Sequence, residues 1–299
     1  SINDWIKTED AGTAKSPDST VRVQLTEQSV DSTLAESVFP DVDETAIDSD
    51  VEHRFRPLGE LGRGGMSSVH DTADLHLLRR SAFKVMHADR AQEQALRNQF
   101  IIEAQITAQL EHPNIIPVYE LGQDANGLPY LSLRKVGGET FRRFIQENAT
   151  VRLSRSNLTR AVRVLINICD AMEYAHHRGV MHRDIKPSNI LVGDFKEVYL
   201  ADWGVALTGV GMDVRDPVQI RPARKSSDVP LIVGTPTYMS PEQSTGLEKD
   251  IGPHTDVFLL GATLYELLTG QPPYKGPQTI ADVVALAARC GFRPPAELI

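Results

Sequence analysis

Apolar residues change their spacing along this chain, and the spacing separates two kinds of structure. Short apolar runs interrupted by glycine or polar residues predict strands, here over residues 55–61, 68–73, 81–86, 115–121 and 130–135. Between the third and fourth of these runs, apolar or small residues recur every three or four positions, which predicts a helix over residues 91–110. The first half of the chain is therefore expected to be rich in β-structure.

The second half of the chain follows a helical period. Its first apolar series predicts one helix that ends at Gly179 and buries Leu158, Val162, Leu165, Ile166, Cys169 and Met172. Further helices are predicted over residues 256–268 and about 279–289. The pattern therefore predicts an α+β fold, with a small β-rich lobe over residues 51–133 and a larger helical lobe over residues 134–299.

Negative charge is concentrated at the start of the chain. Residues 1–50 contain twelve acids and three bases, which gives −9, and the formal net charge of the whole chain is also −9. The rest is neutral, which argues against a nucleic-acid binder, because no excess of cations remains to neutralise phosphates. Such an acidic segment is expected to be a disordered tail, and the alternative is one edge strand at Val21, Val23 and Leu25.

The two cysteines, Cys169 and Cys290, are far apart and lack the spacing of a zinc site. Two cysteines that form neither a disulfide framework nor a zinc site indicate a reducing compartment. The longest apolar stretch, residues 257–268, is interrupted by Glu266 and is too short to span a membrane. We therefore expect a cytoplasmic protein with no membrane segment in this chain.

A glycine-rich segment, residues 61–65, lies between two predicted strands. Glycine lets backbone N–H groups approach an anion closely, so this segment can cover nucleotide phosphates, although a tight hairpin has the same composition. Lys84 lies between apolar neighbours on the predicted strand over residues 81–86. It is either a salt-bridged edge lysine or a buried cation. Glu103 on the next helix is the candidate partner for a buried lysine.

The strongest chemical signal is the run from His182 to Asn189, His-Arg-Asp-Ile-Lys-Pro-Ser-Asn, which is followed by Asp202-Trp203-Gly204. It supplies a carboxylate to orient a hydroxyl, a lysine to meet a transferred phosphate, and an amide and a second carboxylate to hold Mg²⁺. Phosphoryl transfer needs little else, because positioning and charge neutralisation dominate its catalysis.

These motifs, in order from Leu58 to Tyr274, resemble those of the protein kinases, and Lys186 is typical of the serine/threonine branch. The Gly-Gly-Met sequence of the loop and the Pro-Glu-Gln sequence after Ser240 are similar to those of bacterial Hanks-type kinases. The resemblance implies a bilobal kinase fold and a non-specific serine/threonine protein kinase in bacterial signalling that also phosphorylates itself. It implies ATP as cofactor with Mg²⁺ or Mn²⁺. An ATP-binding pseudokinase or regulatory scaffold is the alternative.

The resemblance also implies roles for individual residues. Asp184 would be the catalytic base and Lys186 the contact to the γ-phosphate, while Lys84, paired with Glu103, would bridge the α- and β-phosphates. Nucleotide-binding residues would come from the loop, roof, hinge and floor of a cleft, namely Leu61, Gly62, Gly64, Gly65, Val69, Ala82, Leu133, Lys135, Val136 and Leu191.

Asn189 and Asp202 would hold the metal ion, and His182 would be structural, packed under the metal-binding turn. The chain departs from the family at Trp203, which replaces a phenylalanine, and at Ser67, which replaces the third loop glycine. Its hinge carries arginine and lysine at positions where an acid is common in the family.

Regulation is expected on the long activation segment, residues 202–242. Arg183 would bind a phosphate on this segment, and we predict autophosphorylation at Ser226 or Ser227. Thr235 corresponds to the family's threonine that contacts the catalytic base.

Thr45 lies in an acidic sequence that is similar to phosphothreonine sites read by forkhead-associated domains. The tail would then be a substrate in cis and a docking site for such a partner, and the alternative is a solvated tether. The last helices of the family, with the arginine that pairs with Glu242, have no counterpart here. A truncated C-terminal lobe is therefore expected, and the full-length protein could be anchored to a membrane beyond residue 299.

Overall fold

The computed structural model describes residues 54–209, 216–221, 232–276 and 279–299, and the backbone of the pair 22–23. Most of the predicted acidic tail, with Thr45, lies outside the described residues, and so do Ser226 and Ser227. The description therefore covers both lobes of the expected fold.

A six-stranded antiparallel sheet, in the order β1-β2-β3-β4-β6-β5, forms the N-terminal lobe. Its strands are β1 (Arg22–Val23), β2 (Phe55–Arg63), β3 (Ser67–Asp74), β4 (Arg79–Met86), β5 (Val118–Gln123) and β6 (Pro129–Arg134). The five strands predicted between residues 55 and 135 are confirmed. The short strand β1 pairs with the end of β2, where Val23 lies opposite Gly62, so the edge-strand alternative holds for this pair of residues.

Helix α1 (Gln94–Gln109) contacts strands β5 and β6 of this sheet. It buries Phe100 and Ala104 in a cluster with Met86 and Leu131. Because the same face also carries Glu103, packing the helix on the sheet brings a carboxylate into the interior of the lobe.

The C-terminal lobe is mainly helical, as predicted. Its elements are β7 (Gly138–Thr140), α2 (Phe141–Glu147), α3 (Arg155–His177), β8 (Val180–Met181), β9 (Ile190–Gly193), β10 (Val198–Leu200), β11 (Leu207–Thr208), α4 (Pro241–Thr245), α5 (Pro253–Thr269) and α6 (Ile280–Ala287). The small strands form the sheets β10-β9-β7 and β11-β8. The bilobal α+β architecture is confirmed.

The predicted buried face of helix α3 was wrong for three of its six residues, whereas Met172 is buried and Leu158 and Leu165 pack against the core. Val162, Ile166 and Cys169 are exposed, and the side chains that face the core are Ala161, Val164, Ile168, Ala171, Met172 and Ala175. Small residues let a helix approach its neighbours closely, so the buried face of α3 is marked by alanine and not by the largest apolar side chains. Its predicted end is confirmed, because Gly179 has a φ of 73°.

None of the described helices is long and apolar enough to cross a membrane.

Candidate active site

The loop between β8 and β9 holds the central group of the candidate site. Thr235 Oγ1 donates to Asp184 Oδ1 at 2.5 Å and accepts from Lys186 Nζ at 2.7 Å. Lys186 Nζ also donates to Asp184 Oδ2 at 2.8 Å. All three side chains are buried, so they form a closed triangle whose lysine charge compensates the carboxylate.

Asn189 is oriented by the same carboxylate. Its Nδ2 donates to the main-chain oxygen of Asp184 at 2.9 Å and to Asp184 Oδ2 at 3.1 Å. Because the amide nitrogen is used in this way, the side-chain oxygen is left as a neutral oxygen ligand.

The loop between β8 and β9 is held by Asp256 in the first turn of α5. Its carboxylate accepts from the backbone N–H groups of His182 and Arg183 at 2.9 and 2.8 Å, and it lies 2.8 Å from His176 Nε2. Arg183 has a φ of 66°, which is uncommon for a residue with a side chain. The fully buried Asp256 therefore holds a strained stretch of backbone next to Asp184.

His182 is placed as a structural residue. Its Nδ1 accepts from the N–H of Asp184 at 3.2 Å, its Nε2 lies 3.3 Å from the carbonyl of Ala201, and its ring packs on Trp203 with centroids 4.6 Å apart. Burial lowers the pKa of His182 below its ordinary value, against the opposing effect of nearby carboxylates such as Asp256. The ring is therefore neutral and fixes the turn that carries Asp202.

Lys84 of β4, which is partly buried, and the buried Glu103 of α1 form the pair predicted from the sequence, with Nζ and Oε1 2.5 Å apart. Asp202 Oδ1 lies 3.6 Å from the same nitrogen. Burial opposes the charge on Lys84, but the two carboxylates outweigh it and raise the pKa of this lysine above its ordinary value. Burial likewise opposes ionisation of Asp202, but the charges of Lys84 and Lys186 outweigh it and lower the pKa of this carboxyl group.

Asn189 and Asp202 are the candidate metal ligands, and both offer oxygen. Among the described residues there is no group of three His, Cys, Asp or Glu side chains that could hold a metal ion by itself. Mg²⁺ is commonly held by one or two protein side chains together with phosphate oxygens, so an amide and a carboxylate fit a metal that arrives with a nucleotide.

The residues predicted to bind the nucleotide belong to the glycine-rich turn, to strands β2, β3, β4, β6 and β9, and to the connection between β6 and β7. The glycine-rich turn joins β2 to β3 and is closed by a hydrogen bond from Gly64 N to Ser67 O of 2.8 Å. A Cβ built on Gly65 meets nothing within 4 Å, so space remains above this backbone. The apolar side chains of Leu133, Val136 and Leu191 belong to one cluster with Ile116 and Tyr199.

Strand register places two more of the predicted residues beside members of the same set. Val69 pairs with Lys84, and Ala82 pairs with Leu133. Val136 lies in the connection between β6 and β7, so its main chain belongs to neither strand.

Arg183 and Glu242 make contacts that the sequence did not predict. The Nε of Arg183 donates to the carbonyl of Val205 at 2.7 Å, next to the turn that carries Asp202. Glu242, whose expected arginine partner was missing from the sequence, accepts from Thr255 Oγ1 at 2.7 Å and lies 3.6 Å from His254 Nε2. Both of these partners stand in the first turn of α5.

Sequence reasoning missed Asp71, Gln105 and Gln109. Asp71 is a buried carboxylate on β3 that lies 3.1 Å from Lys135 Nζ of the hinge. The two glutamines on α1 hydrogen-bond to the activation segment. A charged residue in an otherwise strand-like run signalled Asp71, whereas no local pattern distinguishes these glutamines from surface residues.

Comparison with known proteins agrees with this geometry. Residues 55–289 match the model of the protein kinase domain. The chain therefore belongs to the protein kinase family, whose members use ATP and a divalent metal ion. Relatives include the serine/threonine-protein kinases PknB of Mycolicibacterium smegmatis and of Mycobacterium tuberculosis, each 36% identical over 230 residues, which are 75% of this chain and 34% of the relative.

A third relative, the serine/threonine-protein kinase PknD of Protochlamydia amoebophila, is 33% identical over 233 residues, which are 74% of this chain and 23% of that protein. The expected resemblance to bacterial Hanks-type serine/threonine kinases is confirmed. The chain spans about a third or less of the length of these relatives.

Proposed function

We propose that this chain is a serine/threonine protein kinase that transfers the γ-phosphoryl group of ATP to hydroxyl groups of proteins. The observation that carries the proposal is the triangle of Asp184, Lys186 and Thr235. A carboxylate, a lysine and a hydroxyl within 2.5–2.8 Å of one another leave a fixed oxygen to receive a proton beside a fixed positive charge.

The reaction assigned to these residues balances as follows. The substrate hydroxyl oxygen forms a bond to the γ-phosphorus, the bond from this phosphorus to the β,γ-bridging oxygen breaks, and ADP leaves. Asp184 orients the hydroxyl and accepts its proton, while Lys186 neutralises charge on the transferred group. The buried position of Asp184 limits competition from water.

Nucleotide binding is assigned to the cleft. Lys84, held by Glu103, would contact the α- and β-phosphates, and the backbone of Gly62, Gly64 and Gly65 would cover them. Leu61, Val69 and Ala82 would lie above adenine and Leu191 below it, between Leu133 and the main chain of Lys135 and Val136. Asn189 and Asp202 would hold the divalent ion, for which we propose Mg²⁺ before Mn²⁺, and that ion would neutralise charge on the phosphates.

Regulation and partners are part of the same proposal. Arg183 is bonded to the turn after Asp202, so a phosphate on Ser226 or Ser227 that reached Arg183 would act on that turn. We also propose that Thr45 is phosphorylated in cis and binds a forkhead-associated domain, on the basis of its acidic sequence. The free and exposed thiols of Cys169 and Cys290 support a cytoplasmic location for these lobes.

Transfer of label from γ-labelled ATP to a protein tests the proposed activity. We expect labelled phosphoserine or phosphothreonine after acid hydrolysis of the product and no label with the Asp184→Asn variant. Label on tyrosine alone, or equal labelling by the variant, would refute the assignment. The chain retains Lys84, Glu103, Asp184, Asn189 and Asp202, and this favours a kinase over a pseudokinase.

A further inference from the structure

A short piece of the activation segment, residues 216–221, lies against both lobes. Val218 is buried in an apolar cluster that includes Ile106 of α1 and Ile168 of α3, and Ile220 packs against the same cluster. The side chains of the neighbouring Gln219 and Arg221 are exposed. This alternation is typical of an extended strand with one face covered.

Two glutamines of helix α1 bind the backbone of this segment. Gln105 Nε2 donates to the carbonyl of Arg221 at 3.0 Å, and the N–H of Arg221 donates back to Gln105 Oε1 at 2.7 Å. Gln109 repeats the arrangement with Gln219, at 2.6 Å for the donated bond and 3.0 Å for the accepted one. Each side-chain amide therefore pairs with one residue as a neighbouring strand would.

The spacing explains why both pairs form together. Residues four apart on a helix are separated by about 6 Å along its axis. Residues two apart on a strand are separated by about 6.6 Å. An extended segment can therefore present alternate backbone units to glutamines at positions i and i+4 without distortion of either element.

Arg178 fixes the same segment to the C-terminal lobe. Its Nε donates to the carbonyl of Asp216 at 2.6 Å, and its carbonyl accepts from the N–H of Val218 at 3.2 Å. Its Nη1 donates to the carbonyl of Gln109 at 3.2 Å. Residues 216–221 are thus bonded to helix α1, which belongs to the N-terminal lobe, and to the end of α3, which belongs to the C-terminal lobe.

We propose that Gln105 and Gln109 are positioning residues that couple the activation segment to the ion pair of Lys84 and Glu103. Glu103 lies on the same helix, two and six residues before them, so the four hydrogen bonds fix the helix in the position that closes this pair. The inference rests on the proposed kinase function. It adds a point of control, because anything that moves residues 216–221 also moves the helix that carries Glu103.

We call the four hydrogen bonds of Gln105 and Gln109 to this segment the clamp. It uses only the backbone of Gln219 and Arg221, which gives a sharp set of variants. Gln105→Met and Gln109→Met keep the length of the side chain and remove its hydrogen bonds. Gln219→Pro removes one N–H donor from the segment, whereas the matched Gln219→Ala keeps the backbone and changes only the side chain. Gln94→Met is the control on the same helix, because Gln94 bonds only to Asn98 among the described residues.

Steady-state kinetics on the full chain supply the first measurement. We expect Gln105→Met with Gln109→Met to lower kcat about tenfold with KM for ATP changed less than about twofold, since the two glutamines lose their four modest hydrogen bonds to the segment and the nucleotide-binding residues are unchanged. Gln219→Pro should follow the same pattern, and Gln219→Ala and Gln94→Met should match the unmodified chain. An unchanged kcat in the double variant, or equal losses in Gln219→Ala and Gln219→Pro, would overturn the proposal.

Hydrogen exchange of helix α1 supplies a measurement that does not depend on turnover. Amides of residues 94–109 should exchange about tenfold faster in the double methionine variant and in Gln219→Pro, with unchanged exchange in α5. Unchanged exchange in α1 would refute the clamp even if the chain is an active kinase. Absence of transfer by the unmodified chain, with faster exchange in the variants, would refute the proposed function and leave the clamp supported.

Discussion

Lys135 of the hinge lies 3.1 Å from Asp71 of strand β3, so the connection between the lobes is tied to the sheet by an ion pair. Asp71 also accepts from Arg80 Nε at 3.1 Å. A buried carboxylate is tolerated when cations surround it. An acidic residue at position 135 would repel Asp71, which accounts for a basic hinge where an acid is common in this family.

Asp71 should matter more than either of its partners. Asp71→Asn is expected to lower the free energy of unfolding by about 1–3 kcal/mol, because it leaves two cations without their carboxylate. Lys135→Met should cost less than about 1 kcal/mol, since Arg80 still compensates Asp71. Urea unfolding measures both changes, with Lys249→Met as the control on an exposed lysine. Equal losses for Asp71→Asn and Lys249→Met would contradict this account.

The hydroxyl group of Thr235 should be needed for fast phosphoryl transfer. Thr235→Ala removes the group that donates to Asp184 and accepts from Lys186, so we expect kcat to fall about tenfold or more. Thr235→Ser keeps that hydroxyl and should retain most of the activity. Initial rates with a protein substrate separate the two variants, and an alanine variant as active as the serine variant would count against the bridging role.

Tyr238 joins two elements of the C-terminal lobe in a buried position. Its hydroxyl accepts from Arg142 Nη2 at 2.7 Å and donates to Glu266 of α5. Burial and the charge of Glu266 raise the pKa of this phenol, so the hydroxyl stays protonated and keeps its donor role. Tyr238→Phe is expected to lower the free energy of unfolding by about 1–3 kcal/mol.

The control for this change is Tyr119→Phe, on the partly exposed surface of β5. That substitution should alter stability by less than about 0.5 kcal/mol. A phenylalanine at position 238 that unfolds at the same urea concentration as the unmodified chain would show that the hydroxyl contributes nothing.

His182 should make the protein less stable in mild acid. Its pKa in the folded protein lies below the ordinary value of 6.5, so below about pH 6.5 the unfolded chain binds a proton that folded His182 does not. Stability is therefore lost as the pH falls. His182→Asn should reduce the slope of unfolding free energy against pH, below pH 6.5, by up to about 1.4 kcal/mol per pH unit.

The two proteins should have the same slope near pH 8, where the histidine is neutral in both states. That comparison separates the titration of His182 from any loss of packing on Trp203. Identical slopes at pH 5.5 would mean that His182 is protonated in the folded protein.

Several parts of this account could be predicted from the sequence because the determining residues are local. The run from His182 to Asn189 places its polar groups on one short loop. The glycines before Ser67 mark the turn between the first two long strands, whatever the rest of the sheet does. The pairing of Lys84 with Glu103 was also predictable, since a lysine between apolar residues needs a partner and the next helix offers one on its apolar side.

Other parts depend on packing between distant segments. Part of the face of α3 was predicted wrongly because it is set by close approach through alanines such as Ala161 and Ala171. The partner of Asp71 comes from the hinge, and the partners of Gln105 come from more than 100 residues away, at Arg221. Such contacts leave no periodic signal, so only the folded chain reveals them.

Paired measurements of ATP binding and phosphoryl transfer test the central claim most directly. Asp184→Asn keeps the size of the side chain and leaves Lys84, Glu103 and Val136 in place, so Mg²⁺·ATP should bind by calorimetry within about threefold of the unmodified chain. Transfer to serine or threonine should fall at least about a hundredfold. Tight binding of Mg²⁺·ATP by the unmodified chain with no transfer would contradict the account, because it would show that the triangle of Asp184, Lys186 and Thr235 does not support catalysis.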